Sequence, residues 1–160
     1  MGEAMHRFVL GLCLSIACLM ASPALAETPF AVGQVWTVAG TDFPEARIVV
    51  DKLEMWSDKP IVHVSITQVA VPGAPGQPPR FTIVQHMPFT QDALRASVGT
   101  LVQAEGQPFA GFEGGYAEWQ SARGGVFTVT VGQALKIALG MMPPTAASPL
   151  SVDKPSGAGN

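Results

Sequence analysis

His63 and His86, with Ser65 two residues after the first, are the side chains whose types and spacing could do acid–base chemistry or hold a metal. The chain has three histidines, and the third, His6, falls in an apolar N-terminal segment. Along the run from Ile61 to Val71, Val62, Val64 and Ile66 point one way while His63, Ser65 and Thr67 point the other, as the period of two of a strand requires. The proline-rich stretch from Pro72 to Pro79 then leads into a second extended run, Phe81 to Gln85, so the two predict a long-looped antiparallel hairpin. If Val71 opposes Arg80, Ser65 opposes His86 and His63 sits diagonally from it. A slip of one residue removes that contact. Two histidines without a third well-spaced ligand make a weak metal signal, so a hydrogen-bonded or exposed pair is the preferred reading and no metal or cofactor is expected.

The other candidate groups point less clearly to chemistry. Asp51 and Glu54 are read on opposite faces of one strand, and Glu113 and Glu118 around a glycine-rich turn, so none forms the facing carboxyl pair that glycoside hydrolysis needs. Ser97, in Arg95-Ala-Ser-Val-Gly99, lacks the first glycine of a nucleophile elbow and is read as a helix residue. No phosphate loop, dinucleotide fingerprint or His-Glu-x-x-His is present. Trp56 stands before Ser57-Asp-Lys-Pro60, a turn-forming stretch expected to hold its ring at a loop tip, where it would join His63, Ser65 and His86 in a polar or partner-facing surface.

These residues need elements to position them. Gln34 to Val38 and Ile48 to Met55 read as half-buried strands, the second ending with Leu53 and Met55 alternating against Lys52 and Glu54, and with the hairpin they predict a four-stranded meander. Thr90 is placed to cap a helix carrying Leu94, Val98, Leu101 and Val102 on one face. Phe112, Tyr116 and Trp119 share the i, i+4, i+7 spacing of a second helix that Gly124 and Gly125 stop. Val126 to Thr130 reads as a fifth strand, and Thr130-Val-Gly-Gln133 is a capping box opening a last helix with Leu135, Ala138 and Leu139 inward. The expected fold is α+β: a mostly antiparallel sheet of about five strands with two to three helices packed on one face.

The N-terminus and the tail set the context. His6 and Arg7, the apolar run from Phe8 to Met20 and Ala24-Leu-Ala26 read as a signal peptide over residues 1–26, cleaved between Ala26 and Glu27, with Met5 as the more conventional start than Met1. The apolar run is too short to cross a bilayer, which takes about 20 residues. Cys13 and Cys18 both lie in that segment, so the exported chain must fold without a disulfide. Residues 27–141 fit one globular domain, and 142–160, rich in Pro, Ala, Ser and Gly, read as a disordered tail. Beyond the signal, 11 acidic and 8 basic residues remain, and with no run of Lys or Arg this excludes phosphate tracking along a nucleic acid.

The segments Val32-Gly-Gln-Val-Trp36, Ile61-Val-His-Val-Ser-Ile66, His86-Met-Pro-Phe89, Ala93-Leu94 with Ser97-Val98, Gly114-Gly-Tyr-Ala-Glu-Trp119 and Gly125-Val-Phe-Thr-Val-Thr130 resemble a family of small uncharacterised bacterial proteins, a domain of unknown function. Gly40 to Ala46 lacks the charged loop of that family's first hairpin, and the resemblance implies no activity and carries no catalytic residue. Three functional readings follow. The first is a periplasmic or secreted binding module of the inhibitor or immunity type, without catalysis, acting on another envelope or secreted protein. The alternatives are a small envelope hydrolase using His63 or His86 with a carboxylate, and a carrier of a small ligand held between sheet and helices.

Overall fold

The computed structural model describes residues 28–40, 42–56 and 58–141. The signal peptide, its cleavage site at Ala26 and Glu27, and the tail over 142–160 lie outside them. Five strands and three helices follow in the order β1 (Val35–Val38), β2 (Arg47–Trp56), β3 (Lys59–Val71), β4 (Arg80–Thr90), α1 (Gln91–Arg95), β5 (Val98–Gln103), α2 (Phe112–Ser121) and α3 (Val131–Ala138). All strands pair antiparallel in one sheet of order β4-β3-β2-β1-β5, so the fold is α+β.

The main core lies on the face where Ile48, Val50, Val62, Val64, Ile66, Val69 and Phe89 meet Ala93 and Leu94 of α1 and Val131, Ala134 and Leu135 of α3. Two helices thus share one face. The third, α2, covers the opposite face, where it meets His63 and His86 through Tyr116 and Trp119. Beside the core, buried Gln34 accepts from the Trp36 indole and donates to the Pro29 carbonyl, so its polar atoms are satisfied.

Two helix starts form where their caps dictate. The Thr90 side chain accepts from the Ala93 N–H, and at α3 the Thr130–Gln133 capping box is complete in both directions. Thr130→Ala should lower stability by about 1 kcal/mol in urea titration, the cost of freeing one helix-end donor.

Two expected elements differ. The helix predicted through Val98, Leu101 and Val102 stops at Arg95, and Val98–Gln103 is instead the edge strand β5 paired with β1. The spacing of its apolar residues suits a helix, but Val98, Thr100 and Val102 are β-branched, Gly99 weakens a helix, and the Thr100 N–H bonds the Thr37 hydroxyl at 2.8 Å. Ser97, read as a helix residue, lies just past α1: its buried hydroxyl donates to the Ala93 carbonyl and accepts from the Val131 N–H, tying the end of one helix to the start of another. Val126 to Thr130 is not a strand of the sheet. It bridges the sheet only locally, Phe127 lying parallel against Phe89, with Phe127 N–H to Pro88 O and Thr90 N–H to Phe127 O.

Candidate functional site

The α2 face of the sheet gathers the polar residues because two bulges re-aim them. Val71 opposes Arg80, and His63 opposes Pro88, but between them Val64 faces Met87 while Ile66 faces Val84, which leaves Gln85 and His86 together opposite Ser65. A second irregularity, at Gln68 with φ of 55°, restores the register. On the other side of β3, Val50 faces Val64 and Lys52 faces His63, so Asp51 is the extra residue of a bulge in β2. That bulge inverts the expected phase of β2. Lys52, Glu54 and Trp56 turn toward α2, while Leu53 and Met55 take the face of Ile48 and Val50 and are 46% and 60% exposed. It also corrects the reading of Asp51 and Glu54 on opposite faces: Asp51 reaches the Phe109 N–H ahead of α2, and Glu54 reaches Tyr116 within it.

The histidines meet at the centre. His63 Nδ1 lies 2.9 Å from His86 Nε2, with the rings stacked at 5.2 Å and 19°. On its other side His63 Nε2 is 3.1 Å from Glu54 Oε2, close enough for charge to be felt but off the axis of a hydrogen bond, so this buried nitrogen has no in-line partner. The Tyr116 hydroxyl donates to Glu54 at 2.9 Å and accepts from Lys52 at 2.6 Å and Gln120 at 2.9 Å. Ser65, fully buried, donates to the Gln85 carbonyl at 2.6 Å rather than to either histidine. Asp51 Oδ1 accepts from Phe109 N–H at 2.6 Å, while its Oδ2 is buried without a partner.

An aromatic roof closes the cluster. Trp119 lies against both histidines, and Trp56 stacks on it at 5.0 Å and 24°. The ring expected free at a loop tip is therefore part of the roof. Gly115 lets α2 come this close: a Cβ there would stand 2.7 Å from that of His86. The α2 aromatics were legible from their spacing. Glu54, Lys52 and Asp51 were not, because the bulge that brings them in leaves no sequence signal.

Burial decides the charges. It pushes His63 down to about 4, with Lys52 acting in the same direction and Glu54 against it. It also pushes His86 to about 4, aided by His63, so both rings are neutral at neutral pH. Burial raises Asp51 above the usual carboxylate value, opposed by the Phe109 N–H. Among the described residues no group of three or more His, Cys, Asp or Glu could hold a metal ion. The two facing histidine nitrogens are engaged with each other, and the ammonium of Lys52 stands 3.8 Å from Glu54. A shallow open groove of about 230 Å³ lies elsewhere, lined by Val38, Ala39, Gly40, Ala96, Ser97, Thr130 and Gly132, none of which belongs to this cluster. No family model, curated protein or solved structure matches the chain.

Proposed function

We propose that this chain is an exported bacterial binding module of the inhibitor or immunity type, which acts without catalysis on another envelope or secreted protein. One observation carries the reading: the reactive side chains are used to hold α2 on the sheet. His63 is held by His86 and Tyr116 by Lys52, Glu54 and Gln120, while Asp51 fixes the backbone ahead of α2 and Trp119 roofs the pair. Large apolar side chains stand in solvent instead, among them Met55 at 60% and Phe81 at 61%. The test is capture of one stoichiometric partner from an envelope extract by the purified chain, repeated with His86→Gln. Binding that survives the substitution supports a non-catalytic module; the absence of any stoichiometric partner counts against it.

The hydrolase reading is favoured by a different observation, the line from Glu54 through His63 to His86. A carboxylate beside Nε2 of His63 favours the proton on that nitrogen, leaving Nδ1 to accept from His86 Nε2–H. His86 Nδ1 then carries a lone pair. Among the described residues it has no hydrogen bond, and His86 is half-buried. A base at that nitrogen would cleave an activated aryl ester about a hundredfold faster than His86→Gln, with a rate constant down to pH 5 and a break near 4. Equal rates for the two proteins, or a break near 6.5, would remove this reading.

A further inference from the structure

The binding reading leaves open which surface meets the partner, and β4 answers it. This strand is one border of the sheet, so its outer backbone groups have no neighbouring strand. At its far end the border is already occupied: the segment at Phe127 lies parallel to it, exchanging hydrogen bonds with Pro88 and Thr90. From Arg80 to His86 the backbone of β4 has, among the described residues, no main-chain partner on that outer side. The exposed side chains of this stretch alternate. Phe81 is 61% and Ile83 47% exposed, and Gln85, also exposed on the same face, lies beside Gly111 and Gly115 where α2 begins to cover the strand.

Free sheet borders are ordinarily blunted by charges, by proline or by being very short. Here the strand is 11 residues long, its proline lies at the end that Phe127 covers, and its only charged residue is Arg80 at the very start. Arg80 is exposed and forms no ion pair among the described residues. A border with free main-chain groups, apolar side chains two apart and one cation at its end has the chemistry of a strand acceptor. Main-chain bonds would give affinity, and the alternating side chains would set the register.

We infer that residues 80–86 of β4 form the docking edge for an extended segment of a partner protein, added as a sixth strand. That segment carries apolar residues two apart over Phe81 and Ile83, and a carboxylate opposite Arg80. The inference rests on the binding reading and goes beyond it by naming the surface and the partner's chemistry. It continues along the same border the backbone contact that Phe127 makes at Pro88 and Thr90.

The experiment uses the full exported chain and the partner that it captures. Ile83→Lys places a charge on the exposed face of the edge, and Phe81→Pro removes one outward main-chain donor; Met55→Lys is a control on the opposite face of the sheet. Loss of affinity of about a hundredfold for Ile83→Lys, and about tenfold for Arg80→Glu, with melting temperatures kept and Met55→Lys unchanged, is the expected result. Photo-cross-links from position 83 should land in one extended segment of the partner. Full binding by well-folded Ile83→Lys and Phe81→Pro variants overturns the edge and leaves the binding reading standing. Failure of the wild-type chain to capture any partner overturns both. A dimer of the chain itself, seen by light scattering and lost in Ile83→Lys, overturns the partner in favour of a second copy.

Discussion

Acidification from pH 6.5 to about 4 should cost this protein about 3 kcal/mol of stability. His63 and His86 are both held near 4 in the folded chain, against 6.5 when exposed. Between those values the unfolded chain binds more protons than the folded one, so stability is complete above 6.5 and is lost as the pH falls. One histidine held near 4 instead of 6.5 corresponds to about 3 kcal/mol, and the two contacting rings titrate as a pair. The surroundings fix the sign. Glu54 favours a charged His63, but burial and Lys52 oppose it; His86 faces His63, Phe112, Tyr116 and Trp119, none of them anionic. Asp51 acts the other way, because its raised pKa makes the folded state the stronger proton binder above 3.8. Urea titrations at pH 7, 6, 5 and 4.5 measure the balance. A flat profile would show that the histidines are not buried as neutral rings, and His86→Gln should flatten part of a sloping one. A proton entering the pair must charge a ring stacked against another beneath Trp119, so α2 is the element whose amides should first lose exchange protection.

How much of this was legible in the sequence depends on whether a signal is local. The Thr130–Gln133 capping box is local, and it appears where its residues stand. The pairing of Val71 with Arg80 is set by a loop of fixed length, and it too was readable, as was the face shared by His63 and Ser65. The phase of β2 was not. Asp51 adds one residue to a ladder, and a single insertion moves every later side chain to the other face. Continuing the alternation of Ile48 and Val50 without it puts Lys52 and Glu54 on the face of the main core and leaves Glu54 beside His63 unseen. The helix expected beyond Arg95 failed for a related reason: four apolar residues at helical spacing also suit an edge strand, and pairing with Thr37 and Val38 of β1 decided between them. Trp56 looked free because its neighbours in sequence form a turn, whereas its partner, Trp119, comes from α2.

Gly33→Ala should be the most damaging small substitution away from the core, lowering stability by about 3 kcal/mol or more. Two effects combine there. The residue has φ of 87°, a left-handed conformation that costs a residue with a Cβ about 1–2 kcal/mol. A Cβ would also stand 2.1 Å from the carbonyl oxygen of Gly106, a backbone atom that cannot swing aside as a side chain can. Relief requires moving the stretch that leads from β5 to Phe109, at a further cost of about 1–3 kcal/mol. That movement reaches the histidine face, because the Phe109 N–H is the donor to buried Asp51, whose other oxygen already lacks a partner. Gly40→Ala separates the two effects: its φ is 44°, but nothing lies within 4 Å of an added Cβ, so only the conformational cost of about 1 kcal/mol applies. Equal losses for the two variants in urea titration would mean that the contact with Gly106 constrains nothing. A larger loss at Gly33, accompanied by faster exchange of the Phe109 amide, would show that the packing of two glycines, one ahead of β1 and one after β5, holds the entrance to α2 and through it the cluster around His63.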